Sequence, residues 1–369
     1  MVIGERMYKV FNVSIRGASH IRKNTPCEDF GASEITENCK IFAVADGHGA
    51  TECFRSAIGS EYVCKAAMNA LHTFALNIEE NAWEDELLHY PKKQEVYIRQ
   101  LISNIFSTWI NSVNTQWEEN PITEDEKLLA GKYLDGYMQG EKVEHIYGTT
   151  LIAGLMTDRY LLLLQQGDGH CDVFDINGNV SQPIPWDERC FANVTTSVCD
   201  TDAVESCRYC LIDLQETPIM ACIAGSDGVE DSYASMDKMH SFYRNLLLYA
   251  SENGTIALQE YLQEVLPQLS ENGSNDDITI CGIINELRAE EVREDLKRAN
   301  EITNLQDIIR RADEKMNSMS RKLAGLAERY KSAETEYLAY KEQYEQRQRE
   351  KEEAEKKLAE LISNNMDEE

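Results

Sequence analysis

Four acidic clusters stand at turn-like positions beside apolar runs in the first part of the chain. The clusters are Glu28-Asp29, Asp46-Gly47-His48-Gly49, Ser226-Asp227-Gly228 and Asp276-Asp277. Crowded carboxylates repel one another unless cations neutralise them, so the clustering predicts a divalent metal site. Ligands that are all oxygen favour Mg²⁺ or Mn²⁺ over Zn²⁺. Each cluster alone is also compatible with an ordinary turn, because Asp-Gly is a common turn pair.

The order of these clusters carries more information than any one of them. The full series is Cys27-Glu28-Asp29, Phe42-Ala43-Val44-Ala45-Asp46-Gly47-His48-Gly49, Tyr147-Gly148-Thr149-Thr150, Gly167-Asp168, Ala224-Gly225-Ser226-Asp227-Gly228 and Asn275-Asp276-Asp277-Ile278-Thr279. Over residues 8–284 this series resembles the metal-dependent type 2C (PPM) serine/threonine protein phosphatases, particularly their bacterial branch. The resemblance implies an α+β fold, with two antiparallel sheets in a central sandwich and helices on both outer faces. It also implies hydrolysis of phosphoserine and phosphothreonine by a metal-activated water.

The resemblance assigns the carboxylates to two ions, Mn²⁺ or Mg²⁺. Asp46 corresponds to the residue that bridges both ions, and it is also part of the catalytic apparatus. The Gly47 carbonyl and Glu28 would serve one ion, whereas Asp227 and Asp276 would serve the other. Two cations that share a water lower its pKa and stabilise charge on the transferring phosphoryl group, so no protein nucleophile is needed.

Three further residues take roles by the same resemblance. Asp29 would hold a water on one of the ions, and Asp168 with Asp227 would bind the family's optional third ion. His48 corresponds to the family's proposed general acid, which would protonate the departing serine or threonine oxygen. The alternative for His48 is a histidine that only hydrogen-bonds the loop of the metal site.

The chain departs from the family pattern where the substrate phosphate is held. Many members carry an arginine four residues before the Glu-Asp pair, and Asn24 stands there in this chain. His20, Arg22 and Lys23 lie nearby and are the candidates for phosphate binding. Arg22 is favoured, because a guanidinium pairs bidentately with phosphate oxygens. An ordinary solvated basic turn is the alternative.

Alternating and β-rich patterns predict the elements that carry these clusters. We predict strands at 8–16, 41–45, 149–157, 160–166, 171–176, 219–224 and 278–284, and helices near 51–76, 92–118 and 256–269. Asp158-Arg159 and Asn177-Gly178 would close hairpins between consecutive strands. Strands in hairpins, with helices inserted in blocks, favour an α+β domain over a regular βαβ alternation.

Composition changes near residue 287 and divides the chain into three parts. Residues 1–287 form the predicted catalytic domain, in which 117–146 resemble an acidic insertion; residues 288–361 form a predicted coiled coil and 362–369 an acidic tail. Apolar or small residues recur at spacings of three and four from Ile302 to Tyr344, are interrupted by Arg347 and Lys351, and resume through Leu361. This 3.5-residue period indicates a left-handed coiled coil. Self-association through 302–361 is favoured over packing of this helix on its own domain or on another protein, and strand number and orientation stay open.

Charge and composition exclude several other classes of protein. The 369 residues include 36 Lys plus Arg and 65 Asp plus Glu, a net charge of −29 that disfavours nucleic acid and anionic membranes as partners. The first 11 residues lack the apolar run of a signal peptide, and no apolar run is long enough to span a membrane. The 11 Cys without dense spacing fit a reducing compartment, so we expect a cytoplasmic protein.

Three functions are compatible with these observations. The first is an active Mn²⁺- or Mg²⁺-dependent phosphatase that acts on phosphoproteins. The second is a catalytically weak scaffold that keeps the phosphatase fold and works through its coiled coil, an interpretation suggested by Asn24. The third is a hydrolase of another phosphoester. The retained carboxylates favour an active enzyme, because a scaffold has no use for a charged metal cluster.

Overall fold

The computed structural model describes residues 8–191 and 194–366, without the side chains of 360–366. The described residues therefore exclude part of the N-terminal segment considered above. They also exclude residues 367–369 of the predicted acidic tail and the side chain of Leu361. The chain divides into two compact units, Met1–Thr303 and Asn304–Glu369. None of the helices in the described ranges is long and apolar enough to cross a membrane.

The described part of the first unit contains ten strands in two antiparallel sheets. The strands are β1 (Tyr8–Ile15), β2 (Phe30–Ile35), β3 (Lys40–Ala45), β4 (Leu151–Met156), β5 (Tyr160–Gln166), β6 (His170–Asp175), β7 (Val180–Ser181), β8 (Arg208–Asp213), β9 (Ile219–Gly225) and β10 (Ile278–Asn285). The first sheet has the order β1-β10-β9-β6-β7, and the second has the order β2-β3-β4-β5-β8.

Helices of very different length connect and cover these strands. They are α1 (Ala18–Lys23), α2 (Ser56–Glu80), α3 (Glu84–His89), α4 (Pro91–Glu119), α5 (Glu124–Ala130), α6 (Leu134–Met138), α7 (Ala203–Ser206), α8 (Asp227–Glu230), α9 (Met236–Asn272), α10 (Glu286–Glu291) and α11 (Arg293–Met366). The helix α9 is broken at Gly254, whose φ of 85° is in the region that favours glycine.

The period-2 alternation of the strands builds a four-layer core. On β3, Phe42 and Val44 point between the sheets and pack with inward residues of β4, β5, β6, β9 and β10. Their neighbours Ile41 and Ala43 point to the opposite face and pack beneath α2 and α4. The outer face of the first sheet is covered in the same way by α9 and α10. The predicted α+β sandwich with helices on both outer faces is confirmed.

The sequence patterns located most strands, and the omissions have physical causes. All seven predicted strands occur, but β2, β7 and β8 were missed. Both β2 and β8 are edge strands whose residues are nowhere fully buried, so they lack a clear apolar pattern. The first half of α9 was also missed. The helix α2 begins at Ser56 instead of residue 51, because Thr51–Cys53 forms a 3₁₀ turn.

The C-terminal helix α11 starts inside the first unit and continues through the second. Leu296 is fully buried, and it packs in the core beneath α9 together with Val292. The first compact unit therefore extends to Thr303, beyond the compositional change at 287. The predicted long C-terminal helix is confirmed, and its pairing with a second helix stays a prediction.

Candidate active site

Antiparallel pairing brings the predicted acidic clusters to one end of the sandwich. The start of β2 pairs with the end of β3, through Phe30 opposite Ala45. Gly225, at the end of β9, lies opposite both His170 at the start of β6 and Ile280 near the start of β10. The loops that precede or follow these strand ends carry Glu28, Asp29, Asp46, Asp168 and Asp276, and Asp227 is the first residue of α8, just after β9. Both sheets therefore contribute carboxylates to the same edge.

The loop after β3 holds Asp46 by its backbone. The Asp46 carbonyl accepts hydrogen bonds from the Thr150 N–H and from the Thr149 hydroxyl, each at 2.8 Å. The Asp46 N–H donates to the Thr150 hydroxyl oxygen at 3.0 Å. Gly47 follows in a bridge to Thr149, where a Cβ would lie 2.7 Å from the Glu28 carbonyl oxygen. The two threonines thus fix the aspartate, and only glycine fits beside it.

Three carboxyl groups interact closely behind this loop. Burial raises the pKa of Asp46 well above its usual range, and repulsion from Asp227 and Asp29 adds to that rise. Burial is also the main reason why the pKa of Asp227 is raised to about 6. The pKa of Asp29 rises for the same reason, against the opposing effect of a hydrogen bond from Ser226. Burial and mutual repulsion thus disfavour the charged forms of all three groups, and a bound cation would favour them.

The residues present fit a hard divalent cation in their chemistry. The donors are carboxylate oxygens, and the Oδ2 atom of Asp29 is buried without a hydrogen-bond partner. Among the residues that the structure describes, no three His, Cys, Asp or Glu side chains form a ready metal-binding group.

Asp277 organises one side of this edge, although sequence reasoning assigned it no role. Its Oδ1 accepts a hydrogen bond from the Gly17 N–H at 2.5 Å, and its Oδ2 accepts one from the Glu28 N–H at 2.6 Å. The His20 Nδ1 atom lies 2.9 Å from the same Oδ2, and the His20 Nε2 atom lies 3.7 Å from Oε2 of Glu28. Asp277 is 3 % exposed, whereas its neighbour Asp276 is exposed. Asp277 directly precedes Ile278, the first residue of β10, whereas Asp276 is one residue further from the strand.

The three basic candidates for phosphate binding are differently placed. His20 is in contact with Asp277 and Glu28, as described. Arg22 is exposed on α1, and its Nη2 donates to Oδ1 of Asn275 at 2.9 Å. Lys23 is exposed at the last residue of the same helix. The structure thus brings His20 to the carboxylates and leaves the other two at the rim.

His48 and Asp168 lie near the cluster on the side of the second sheet. The His48 N–H donates to the Gly148 carbonyl at 3.0 Å. Burial of the His48 ring lowers its pKa, and the charges of Asp168 and Asp200 oppose that shift. The His48 ring packs against Gly148, where a Cβ would lie 2.7 Å from the Cδ2 atom of the ring.

The turn that carries Asp168 is held by groups that sequence reasoning missed. The Gly167 N–H donates to the Thr196 hydroxyl at 3.1 Å. The Gly167 carbonyl accepts a hydrogen bond from the Arg208 guanidinium, which also donates to the Pro185 carbonyl at 2.8 Å. Arg208 lies on β8, one of the strands that was not predicted. Because Arg208 is far along the chain from Gly167, no local sequence pattern indicated this contact.

The residues of the predicted insertion, 117–146, are tied to the segment that follows Gly49. Arg55 is 6 % exposed and forms a two-point ion pair with Glu126, with Nε to Oε1 at 2.7 Å and Nη2 to Oε2 at 3.0 Å. Its Nη1 donates to the Tyr147 hydroxyl at 3.0 Å, and its guanidinium lies 5.0 Å from the Trp117 ring centre. Nothing in the local sequence around Arg55 indicated this pairing.

Comparisons with known proteins found a matching family model and similar solved structures. The family model described as Protein phosphatase 2C matches residues 16–267. A bacterial serine phosphatase is 16 % identical, with 75 % of this chain and 97 % of that chain covered and a TM-score of 0.45. The serine/threonine phosphatase Stp1 from Staphylococcus aureus is 15 % identical, with 75 % and 95 % covered and a TM-score of 0.44. A C. elegans sex determining protein is 15 % identical, with 78 % and 67 % covered and a TM-score of 0.48. No curated protein matches.

Proposed function

Because the chain belongs to the protein phosphatase 2C family, we propose that it is an active, metal-dependent protein serine/threonine phosphatase. The observation that carries the proposal is the interacting set of Asp46, Asp227 and Asp29 carboxyls at one end of the sandwich. Burying and crowding three acids raises the free energy of the folded chain. A cation site explains why the fold contains these three buried acids, whereas a scaffold function does not.

Two Mn²⁺ or Mg²⁺ ions would be held by the residues that the sequence motifs single out. Asp46 would bridge both ions, with Glu28 and the Gly47 carbonyl on one and Asp227 and Asp276 on the other. When bound, such ions lower the pKa of a coordinated water and neutralise charge on the phosphoryl group. Asp29 would orient water at the centre, and Asp168 with Asp227 would serve a third ion.

The chain's own side chains have separate tasks in this proposal. His48 would donate a proton to the departing serine or threonine oxygen, because its ring lies beside the edge that carries the carboxylates. The His20 Nδ1 atom lies 2.9 Å from Oδ2 of Asp277, so we propose that His20 positions the loop that carries Glu28. Arg22 and Lys23, both exposed at the rim, are then the residues left to bind the substrate phosphate.

The remaining parts of the chain would select partners. The substrate is a phosphoprotein, and the acidic insertion 117–146 beside Arg55 is one surface that could shape its choice. The helix from 304 onward would join two copies or bind another helical protein. A cytoplasmic location follows from the free thiols and is part of the proposal.

Phosphate release from a phosphoserine and phosphothreonine peptide library, measured as Mn²⁺ is titrated, tests this function. Asp46→Asn should abolish release, because it removes the charge that both ions share. Asp158→Asn is the matched control, since Asp158 is 62 % exposed and lies by the β4–β5 hairpin at the opposite end of the sandwich. No release from folded protein would favour the scaffold. Release from p-nitrophenyl phosphate alone would favour a hydrolase of another phosphoester.

A further inference from the structure

One face of α11 carries a long row of exposed apolar side chains, which Arg347 and Lys351 interrupt. Its large apolar members from Leu305 to Leu358 are between 53 % and 72 % exposed, as far as the side chains are described. We call the row formed by heptad positions a and d the seam. Position a holds Ile309, Met316, Leu323, Tyr330, Tyr337, Tyr344, Lys351 and Leu358; position d holds Leu305, Ala312, Met319, Leu326, Ala333, Tyr340, Arg347 and Ala354. An apolar row of this length marks an interaction surface.

A parallel, in-register pair of copies would fill this seam poorly. Each seam residue would then face its own counterpart. Tyrosine would meet tyrosine in four layers, and alanine would meet alanine at Ala312, Ala333 and Ala354. Arg347 would also face Arg347 of the second copy, and Lys351 would face Lys351 of the second copy. Overfilled, underfilled and like-charged layers all lower the stability of a coiled coil.

An antiparallel pair of copies fills the same seam evenly, because position a of one helix then faces position d of the other. In the register that sets Leu305 against Leu358, every tyrosine meets a smaller or flexible residue. The layers are Tyr330 with Ala333, Tyr337 with Leu326, Tyr340 with Leu323, Tyr344 with Met319, Ile309 with Ala354, Met316 with Arg347, and Ala312 with Lys351. Large residues meet small ones, and both seam cations lie against uncharged partners.

The charges that flank the seam favour the same orientation. In the antiparallel register, Lys315 lies beside Glu350 of the second copy, and Arg329 lies beside Glu336. No flanking pair between Leu305 and Leu358 brings like charges together. In the parallel arrangement, Arg329 would lie beside Glu334 and Glu336 beside Lys341 of the second copy, but Glu350 would lie beside Glu355, a like-charged pair that the antiparallel register avoids. The flanking charges and the side-chain volumes in the seam therefore both favour a second copy in the antiparallel orientation.

We propose that α11 forms an antiparallel coiled coil with a second copy of this chain, in the register that faces Leu305 with Leu358. The arrangement specifies the self-association proposed above and does not depend on phosphatase activity. Residue 305 of one copy then lies about 80 Å from residue 305 of the other, at 1.5 Å per helical residue. The two segments that lead into the coil leave it at opposite ends.

Sedimentation equilibrium of the full chain, with charge reversals at the flanking positions, tests the orientation. Glu350→Lys and Lys315→Glu should each raise the dimer Kd about tenfold, because each creates like-charged pairs twice in the symmetric dimer. Glu350→Lys also removes the bond to Arg347 within the helix at 2.8 Å, so the double variant is essential. Combining both changes should restore most of the affinity. Glu342→Lys, on the face away from the seam, is the matched control and should leave Kd unchanged.

Each other outcome overturns the proposal in a recognisable way. A parallel dimer would become tighter with Glu350→Lys, because the repulsion from Glu355 would become an attraction. A photo-crosslinking amino acid at Gln306 should attach near Glu355 of the second copy, and attachment near Glu301 would also indicate a parallel pair. A chain that stays monomeric at all concentrations would refute self-association, and phosphate release measured on the same sample would still report on activity.

Discussion

At the scale of single residues, the site separates side chains that would bind metal from side chains that hold them. Asp46 and Asp227 interact with each other and have raised pKa values, as expected of groups that need a cation. Asp277 instead accepts bonds from two backbone N–H groups and faces His20. Its charge is therefore already compensated within the protein. Adjacent aspartates in one motif thus have different physical roles.

This separation predicts different effects for two neighbouring substitutions. Asp277→Asn should lower the free energy of unfolding by about 1–3 kcal/mol, because its amide NH₂ would face an N–H donor from Gly17 or Glu28. Asp276→Asn should change it by less than about 0.5 kcal/mol, because Asp276 is exposed. Urea unfolding without divalent metal measures both. Equal loss in the two variants would contradict the positioning role of Asp277.

Sequence reasoning found the carboxylates but not their supports. Asp46 and Asp227 stand in motifs with a recognisable order, so the residue pattern alone is enough to identify them. Ser56, whose hydroxyl donates to Oε1 of Glu28 at 3.0 Å, and Arg208 on β8 lie far along the chain from what they hold. Such contacts depend on which strands and helices become neighbours, and single-chain periodicity carries no information about that.

At the scale of elements, the acidic segment that follows α4 is held in place by the buried guanidinium group of Arg55. The hydrogen bond from Arg55 lowers the pKa of Glu126, which also caps α5 together with Thr123. The interpretation of residues 117–146 as an insertion stays a prediction, and composition predicted neither this helix nor its anchor. The turn prediction was more accurate: Gly178, with a φ of 84°, makes the turn before β7 that Asn177-Gly178 suggested.

The Arg55–Glu126 pair predicts a specific pH dependence of stability. A lowered pKa in the folded state means that the stabilisation is present above the ordinary value of 4.5 and is lost as the pH falls through the folded value. The difference in unfolding free energy between the wild type and Glu126→Gln should therefore be constant near neutral pH. It should shrink below about pH 4.5.

Denaturant unfolding of both proteins from pH 7 to pH 3 checks this expectation. Glu124→Gln is the matched control, because Glu124 is 88 % exposed and its partner Lys127 lies on the same helix. That variant should differ little from the wild type at any pH. If the difference in unfolding free energy between the wild type and Glu126→Gln stays constant down to pH 3, the charge of Glu126 does not contribute to stability.

At the scale of the whole molecule, the compact units and the change in composition do not coincide. Acidity is lower after residue 287, yet α10 and the first turns of α11 still pack in the core of the first unit. Charge patterns report on surfaces, whereas the boundary is set by buried side chains such as Leu296, which is fully buried. The end of the first unit at Thr303 is therefore visible only in the structure.

Two truncations should behave differently for this reason. A chain that ends at Thr303 should fold with nearly the thermal stability of the full protein. A chain that ends at residue 287 should lose several kcal/mol, because Ala289, Val292 and Leu296 leave the core, and each large buried side chain contributes about 2–5 kcal/mol. Calorimetric melting of both chains distinguishes them. Equal melting temperatures would show that the segment after 287 adds nothing to the core.

Mn²⁺ binding to the full chain tests whether the carboxylates at the end of the sandwich hold two ions. Free Mn²⁺ can be followed by electron paramagnetic resonance as the full chain is titrated, without any assay of activity. We predict two tightly bound ions per chain for the wild type and for Asp158→Asn, and loss of both in Asp46→Asn. Folded wild-type protein that binds no Mn²⁺, or Asp46→Asn that binds it equally well, would contradict the account.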